Sequence, residues 1–494
     1  MRPGMVLFSV VVLFLCVGIL TPKEMLEGFS NKGMITVALL FLVSEGIRQS
    51  GTLGQVIKKL LPQGKTTVFK AQLRILPSVA FISAFLNNTP VVVIFAPIIK
   101  HWAKSVKLPA TKFLIPLSYV TILGGICTLI GTSTNLVVHG MILEAGYEGF
   151  TMFELGKVGI FIAIAGIIYL FIFSKRLLPD ARPDTAVPDE EVEEGEKLHR
   201  VEAVLGARFP GINKKLSDFN FQRHYGAEVK EIKTRNGQRY VDHLEDVVLR
   251  EGDTLVVMAD DTFIPTWGES SVFVLLTNGN DPDTSGKKKR WLALILLVLM
   301  IVGATVGELP ATKEMFPDIK LDMFFFVCIT TIIMAWTNIF PARKYTKYIS
   351  WDILITIACA FAISKAMENS GFAALIARHI IGMSSSMGPY ALLAIVFIIT
   401  NIFTELITNN AAAALSFPIA LSVATQLGVD PTPFFVVICM AASASFSTPI
   451  GYQTNLIVQG IGSYKFTDFV KIGLPLNLIT FLISVFVIPM IWKF

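Results

Sequence analysis

Residues 83–90 read SAFLNNTP, and they break the middle of an apolar run with asparagine, threonine and proline. Residues 404–410 read TELITNN and break a second apolar run, just ahead of the alanines at 411–414. Irregular backbone is tolerated in a hydrocarbon environment only where it lines a cavity in the protein. Thr89 can cap the helix that follows the first break, and Pro90 suits the first position of that helix. We therefore predict two helical hairpins that enter a membrane and turn back, each with a polar tip near the midplane.

A second pair of polar interruptions follows the hairpins. The stretches GTSTN, ending at Asn135, and PIGYQTN, ending at Asn455, each read as an unwound point inside a longer apolar span. Asn88 precedes Asn135 by 47 residues, and Asn409 precedes Asn455 by 46. Two related motifs at nearly the same spacing indicate an internal duplication.

The composition is that of a membrane protein. Of the 494 residues, 53% are hydrophobic and only 16% are charged, and the mean hydropathy is +0.63. A soluble core could not hide this much apolar surface, whereas a bilayer accepts it as a solvent. No cleavage site of the A-x-A type follows the first apolar run, so we expect it to remain as a transmembrane helix. Apolar runs that could contribute spans lie near residues 5–20, 33–48, 74–100, 113–142, 152–175, 291–308, 321–341, 350–366, 388–425, 432–460 and 469–492.

Residues 179–290 differ in character from the rest of the chain. An acidic stretch at 189–194 opens a charged linker, and strand-like patterns follow at 228–232 and 254–258. Asn236-Gly237 and the stretch 251–253 are turn signals. This region therefore predicts a small soluble α+β module.

Basic residues flank this module at 175–176 and 287–290, which places it in the cytoplasm under the positive-inside rule. The predicted fold is an α-helical polytopic membrane protein with two inverted repeats, re-entrant hairpins and broken helices. Its predicted parts are a first transmembrane repeat (1–178), the inserted module with its linkers (179–290) and a second transmembrane repeat (291–494).

Broken helices suit the binding of ions. Their free carbonyls and side-chain oxygens suit a hard cation such as Na⁺, and their N-terminal N–H groups suit an anion. None of the four interruptions contains Lys or Arg, so an anion would be held by Asn and Thr donors, helix dipoles and bound cations. The alternative is that these polar residues only join helices by hydrogen bonds. Four matched clusters with Gly and Pro breaks favour an ion site.

Glu405 is the only carboxylate in these motifs, and two interpretations of it stay open. An acidic residue inside a membrane is by default a functional candidate, here for proton coupling. Alternatively, Glu405 pairs with a neighbour or faces the wet side of its hairpin.

The hairpin motifs resemble those of the divalent anion:sodium symporter family, which includes dicarboxylate, citrate and sulfate carriers. The family carries a Ser-Asn-Thr triplet at each hairpin tip. Here the triplets are residues 87–89 and 408–410, and each keeps its central asparagine. The resemblance covers both membrane blocks. It also implies a homodimer and an elevator-like movement of the hairpin domain.

Residue by residue, the resemblance implies two sodium sites and one substrate site. The sodium ligands would be Ser83, Asn87, Asn88 and the backbone near Gly131 in the first site, and Thr404, Thr408, Asn409 and the backbone near Gly451 in the second. Substrate would contact Asn88, Thr89, Thr132, Ser133, Asn409, Asn410 and Thr454.

The inserted module is similar to the C-terminal ligand-sensing domain of potassium-uptake regulators (the TrkA-C or RCK C-terminal domain). The similarity lies in residues 205–216, 226–229 and 252–255. It implies a regulatory role and a small ligand for the module.

We predict a secondary active transporter that couples Na⁺ to symport of a small divalent anion, with sulfate favoured over dicarboxylate. The inserted module and the neutral donors favour sulfate. The alternatives are a sodium/proton antiporter of the same superfamily that uses Glu405, a dicarboxylate or citrate carrier, and a membrane sensor that no longer transports.

The sequence contains no nucleophile–base pairing or metal-ligand spacing that would indicate an enzyme. We expect Na⁺ as the co-transported ion, no organic cofactor and no nucleic acid partner. A multi-pass location in the plasma (inner) membrane is expected, with the lipid bilayer as the surrounding partner.

Overall fold

The computed structural model shows two helical blocks with a small sheet between them. The residues that it describes are 3–62, 64–180, 199–206, 208–234, 238–260, 263, 267, 272–277, 287–316, 318–383 and 388–494. The predicted turn at Asn236-Gly237 and the acidic linker at 189–194 lie outside the described residues.

The first block is a series of helices with one short 3₁₀ turn, Gly28–Ser30. Its helices are α1 (Pro3–Cys16), α2 (Pro22–Glu27), α3 (Lys32–Gln49), α4 (Thr52–Leu60), α5 (Val68–Ser83), α6 (Asn88–Ser105), α7 (Thr111–Gly125), α8 (Ser133–Glu144) and α9 (Gly156–Leu177).

The sheet module lies between the two blocks and has its own buried aromatic core around Phe209 and Phe273. Its strands pair antiparallel throughout, in the order β3-β2-β4-β1-β5. Its elements are β1 (His199–Leu205), α10 (Phe221–Tyr225), β2 (Glu228–Lys233), β3 (Arg239–Tyr240), a 3₁₀ turn (Leu244–Asp246), β4 (Thr254–Ala259) and β5 (Phe273–Thr277). The turn predicted at 251–253 is present, with Gly252 at a φ of +85°.

The second block repeats the pattern of the first. Its helices are α11 (Lys287–Gly307), α12 (Pro310–Met315), α13 (Met323–Trp336), α14 (Tyr345–Tyr348), α15 (Trp351–Asn369), α16 (Phe372–Met383), α17 (Gly388–Leu406), α18 (Asn409–Leu427), α19 (Thr432–Ser443), α20 (Gln453–Gly462) and α21 (Phe466–Ile491). A 3₁₀ turn, Ala342–Lys344, precedes α14. The basic residues 287–290 form the first turn of α11, so they belong to the helix that follows the module.

Seven helices of the first block recur in the second at a nearly constant offset. From α1 to α13 the starting residues differ by 323 − 3 = 320, and from α6 to α18 by 409 − 88 = 321. The other pairs, α3/α15, α4/α16, α5/α17, α7/α19 and α8/α20, have offsets between 319 and 321. The repeat predicted from the asparagine motifs therefore extends to the helices around them.

Six helices of the described residues are long and apolar enough to cross a membrane. A seventh span results if Ala342–Tyr348 and Trp351–Asn369, which meet at a bend of 58°, count as one. The apolar runs predicted from the sequence outnumber these helices because several runs are broken into pieces shorter than the roughly 20 residues that a span needs. The chain is a multi-pass membrane protein with an inserted sheet module.

The helices are interrupted at both predicted hairpin tips and at both predicted unwound points. The first hairpin consists of α5 and α6 joined by residues 84–87, and the second consists of α17 and α18 joined by residues 407–408. Residues 126–132 separate α7 from α8, and residues 444–452 separate α19 from α20. We call the segment 126–132 break 1 and the segment 444–452 break 2.

The expected helix cap at Thr89 is wrong. Helix α6 begins two residues earlier than expected, at Asn88, so Asn87 occupies the N-cap position and Pro90 the third helical position. Proline is still accommodated there, because the N–H groups of the first turn have no partner within the helix.

The sheet module packs against two helices of the membrane blocks. Lys100 Nζ of α6 donates to both carboxylate oxygens of Glu202 on β1, at 2.9 and 3.1 Å. A Cβ atom added to Gly460 of α20 would lie 2.9 Å from Thr254 Oγ1 and 3.0 Å from the Gly252 carbonyl oxygen. These contacts attach the module to α6 and α20, and both helices begin at polar motifs.

Candidate functional site

The tip of the first hairpin is organised around Asn88, which is only 1% exposed. Ser83 Oγ, at the end of α5, donates to Asn88 Oδ1 at 2.8 Å. The hydroxyl of Thr128, in break 1, donates to the Ala84 carbonyl. The turn between α5 and α6 is therefore held closed by its own side chains and by break 1.

The second hairpin uses an equivalent hydrogen bond. Thr404 Oγ1 lies 2.8 Å from Asn409 Oδ1, across five residues as in the first hairpin. The same hydroxyl lies 2.5 Å from the Ala442 carbonyl oxygen on α19. The asparagines at the two tips are thus held in the same way, although the donor is serine in one half and threonine in the other.

The two breaks are also held by equivalent contacts. In break 1, Gly131 N–H donates to Thr128 Oγ1 at 3.1 Å, and Asn135 Nδ2 donates to the Thr128 carbonyl at 2.9 Å. In break 2 the corresponding bonds join Gly451 to Thr448 at 3.3 Å and Asn455 to Thr448 at 3.1 Å. The asparagine predicted to mark each unwound point therefore reaches back to hold the unwound backbone.

Each hairpin tip contacts the other half at a break or at the helix start that directly follows it. Asn88 Nδ2 donates to the Tyr452 hydroxyl at 2.6 Å, and Thr89 Oγ1 lies 3.5 Å from Gln453 Oε1. In the other direction, Ser133 Oγ donates to Asn410 Oδ1 at 3.2 Å, and Thr134 Oγ1 donates to the same oxygen at 3.3 Å. The site is consequently assembled from both repeats.

Four helix N-termini meet at these contacts. Helices α6, α8, α18 and α20 start at the polar motifs, and within the described residues none of their N-cap side chains accepts a hydrogen bond from its own helix. The first turns therefore keep N–H groups that the helix does not use, together with the positive ends of four helix dipoles. Such an arrangement can bind an anion without a cationic side chain.

Oxygen atoms converge on two glycines of the first half. A Cβ atom added to Gly125 would lie 2.6 Å from Asn88 Oδ1 and 3.0 Å from the Gly131 carbonyl oxygen. A Cβ atom added to Gly131 would lie 2.5 Å from the Gly125 carbonyl oxygen and 3.0 Å from that of Ala84. Only glycine at these two positions leaves room between the oxygens, which suit a hard cation.

A related cluster surrounds Gly451 in the second half. A Cβ atom there would meet the Ser445 hydroxyl and would lie 2.5 Å from the Thr404 carbonyl oxygen. Asn409 Oδ1 is attached to this cluster through the Thr404 hydroxyl. The two oxygen clusters occupy equivalent places in the repeats.

Glu405 lies beside Thr404 near the end of α17. Its Oε1 accepts hydrogen bonds from the Ser447 backbone N–H and from Asn477 Nδ2, both at 2.8 Å. Its Oε2 is buried and has no hydrogen-bond partner among the described residues. Glu405 therefore pairs with neighbouring groups, as one of the two interpretations of the sequence expected.

The structure brings most of the predicted site residues together. Side-chain contacts or oxygen clusters link Ser83, Asn88, Thr89, Gly131, Thr132, Ser133, Thr404, Asn409, Asn410 and Gly451.

Three predicted residues make no side-chain hydrogen bond to this network among the described residues. Asn87 lines a cavity of about 10 Å³ beside α3, which is room for about one water molecule. Thr454 is fully buried and accepts a hydrogen bond from Ser118 of α7 at 2.9 Å. The Thr408 hydroxyl is buried without a partner among the described residues.

Sequence reasoning missed Tyr452, Gly125 and Thr128. The repeat itself could have identified Thr128, because Thr448 follows it by 320 residues and accepts the equivalent hydrogen bond from a glycine N–H. Tyr452 carries no such signal, since the residue 320 positions earlier is Thr132.

Known proteins provide an independent comparison. The model of a family described as citrate transporter matches residues 1–327 and 315–494. An uncharacterized transporter of Synechocystis sp. is 30% identical over 98% of this chain and 92% of its own length. A putative sulfur deprivation response regulator of Chlamydomonas reinhardtii is 28% identical over 97% of this chain and 96% of its own length. A probable sodium/sulfate cotransporter of the same alga is 31% identical over 59% of this chain and 32% of its own length.

Proposed function

The chain belongs to the citrate transporter family, among the divalent anion:sodium symporters, and from this premise we propose that it couples Na⁺ to the symport of a divalent anion, with sulfate favoured over dicarboxylate. One observation carries the proposal: four helix N-termini meet at a site whose donors are neutral. A site without a cationic side chain needs a bound cation to balance a divalent anion. The algal relative that is named a sodium/sulfate cotransporter supports the same pairing of ions.

The proposed sodium sites are the two oxygen clusters. The first takes Asn88 Oδ1 and the carbonyls of Gly125 and Gly131, with Ser83 holding Asn88 in place. The second takes Asn409 Oδ1 and the Thr404 carbonyl beside Gly451. Asn87 and Thr408 are proposed only as neighbours of these clusters, and Thr454 as a buried support of the substrate site.

Uptake by proteoliposomes is the direct test of this function. We expect an inward Na⁺ gradient to drive accumulation of radiolabelled sulfate, while a K⁺ gradient of the same size does not. Labelled succinate and citrate provide the comparison for the dicarboxylate and citrate alternatives. If none of the three anions accumulates down the sodium gradient, the proposal is wrong.

Sodium/proton exchange through Glu405 is the second candidate, because one oxygen of this carboxylate is buried without a partner among the described residues. Glu405→Gln removes the titratable group and keeps the side-chain size. Under the symport proposal, the variant retains sodium-driven uptake, because an amide can still offer an oxygen to the Ser447 N–H and to Asn477. Complete loss of uptake, together with loss of sodium-driven proton release in a pH-dye assay, would instead favour exchange.

We propose that the sheet module is a regulatory domain of the TrkA-C type that responds to a small ligand. Its attachment to α6 and α20 supports this role, because both helices begin at the site. Glu202 lies between Lys100 of α6 and Lys233 of β2, with Lys233 Nζ at 3.4 Å. Burial raises the pKa of the Glu202 carboxyl, but the two ammonium groups lower it more, to about 2. The lowered pKa contributes stability to the contact above pH 4.5, and this contribution is lost as the pH falls toward 2.

Reversing one charge of this contact should release the module. We expect Lys100→Glu to increase hydrogen–deuterium exchange in β1 and to alter the KM for the transported anion. The double variant Lys100→Glu/Glu202→Lys should recover part of the protection, since it restores an attractive pair. Lys215→Glu is the matched control, because Lys215 pairs with Asp246 on the surface of the module. If releasing the module leaves every uptake parameter unchanged, the regulatory role is wrong.

We further propose that the protein lies in the plasma (inner) membrane with the module on the cytoplasmic side. Basic residues end α9 and begin α11, on both sides of the module, and they support this orientation. A homodimer with inverted repeats and an elevator-like movement is proposed from the family resemblance.

A further inference from the structure

The two breaks end in residues that occupy equivalent positions but differ greatly in size. Thr132 is the N-cap residue of α8, and Tyr452 is the N-cap residue of α20, 452 − 132 = 320 positions later. Their backbones are nearly the same, with φ and ψ of −141° and 144° for Thr132 and −134° and 133° for Tyr452. The difference between the two halves at this point is therefore a difference between side chains.

The Tyr452 side chain extends from the second repeat to the tip of the first hairpin. Its hydroxyl accepts a hydrogen bond from Asn88 Nδ2 at 2.6 Å and lies 3.3 Å from Thr132 Oγ1. Asn88 Oδ1 already accepts the Ser83 hydroxyl, so both ends of the Asn88 amide are engaged. The phenol therefore stands where a substrate oxygen would meet the first hairpin tip.

The site can be divided into two half-sites by the repeat. The first half-site consists of Asn88 and Thr89 with Tyr452 and Gln453, and the second consists of Asn409 and Asn410 with Thr132 and Ser133. Thr89 lies near Gln453 in the first, as Asn410 lies near Ser133 in the second. The tyrosine ring is present in the first half-site, whereas the second has only a threonine at the equivalent position.

The distribution of charge on an anion decides whether such a site can bind it. A dicarboxylate carries its charges on two separated groups, and two equal half-sites would match them. A tetrahedral oxyanion carries its charge on one centre, so a single half-site and one added donor are enough. We infer that Tyr452 is a specificity-determining residue that restricts the site to a compact tetrahedral oxyanion. This inference rests on the proposed function.

Two substitutions test the effect of the Tyr452 ring separately from the effect of its hydroxyl. Tyr452→Thr copies the residue of the other half and removes the ring, so succinate should compete with labelled sulfate at a concentration at least about tenfold lower than in the wild type. Tyr452→Phe keeps the ring, so succinate should remain excluded, while the lost donor raises the KM for sulfate by about tenfold. Tyr169→Phe is the matched control, because Tyr169 is a buried tyrosine that donates to the Ile472 carbonyl, away from the site.

The outcomes distinguish this inference from the proposed function. If wild-type protein takes up sulfate and Tyr452→Thr still excludes succinate, the inference is overturned and the proposed function stands. Efficient succinate uptake by the wild type also overturns it. Should the wild type transport none of sulfate, succinate and citrate, the proposed function fails, and the role of Tyr452 is then tested by the thermal stability of the purified protein. Sulfate should stabilise the wild type and succinate only Tyr452→Thr, and the reverse pattern contradicts the inference.

Discussion

Replacing Asn88 or Asn409 with alanine is expected to lower sodium-driven uptake by at least about 100-fold, because a hydrogen bond or ion contact to a charged group contributes about 1.5–3 kcal/mol. Asn88 Oδ1 belongs to the first oxygen cluster, and its Nδ2 reaches Tyr452. Asn409 Oδ1 is held by Thr404 in the equivalent place. Each substitution would remove an oxygen proposed to bind Na⁺ and would loosen the hairpin tip.

The measurement is the initial rate of sulfate uptake at several sodium concentrations. Asn369→Ala is the control, since Asn369 lies at the end of α15 and its side chain donates to Ile19 and Glu24, which belong to neither tip. Both tip variants should also lose the thermal stabilisation that Na⁺ gives to the wild type. Normal uptake by either variant would show that its asparagine only joins helices.

Gly125→Ala is expected to have the second largest effect. The added methyl group would lie 2.6 Å from Asn88 Oδ1 and 3.0 Å from the Gly131 carbonyl oxygen, where it fills the gap between the oxygens. Overpacking of this kind costs about 1–3 kcal/mol of stability. We expect uptake to fall to background and the dependence of thermal stability on Na⁺ to disappear.

Gly382→Ala provides the matched control for this substitution. Gly382 also lies in a helix, but a Cβ atom there would meet nothing within 4 Å among the described residues. It should leave uptake unchanged. If Gly125→Ala keeps a normal sodium dependence, the first oxygen cluster is not a sodium site.

The sequence was sufficient to predict the hairpins and the breaks. Asparagine, threonine and proline are costly in the middle of an apolar run unless they line a cavity, so their positions marked both tips and both unwound points. The spacing between the asparagines of each half indicated the duplication. The residues proposed for ion binding at Ser83, Asn88, Thr404 and Asn409 come from the family resemblance that these motifs carry.

Other parts of the site depend on contacts that no local pattern contains. Gly125 lies in an unremarkable helical stretch, and its importance follows only from the approach of Asn88 and Gly131. Thr89 matched the preference for a helix cap, yet α6 starts at Asn88, whose side chain accepts the Ser83 hydroxyl. The attachment of the module to Lys100 and Gly460 joins residues that are far apart in sequence, and periodicity does not report such contacts.

The hydrogen bonds that join each hairpin tip to the other half also have a consequence for folding order. Asn88 and Tyr452 are 364 residues apart, and Ser133 and Asn410 are 277 apart. Contacts at such separations form late, because the chain between them must first be closed into a loop. Each hairpin, by contrast, is joined by a bond across five residues and can form as soon as its own segment is made. The ion site is therefore expected to be completed late, only after break 2 has been synthesised.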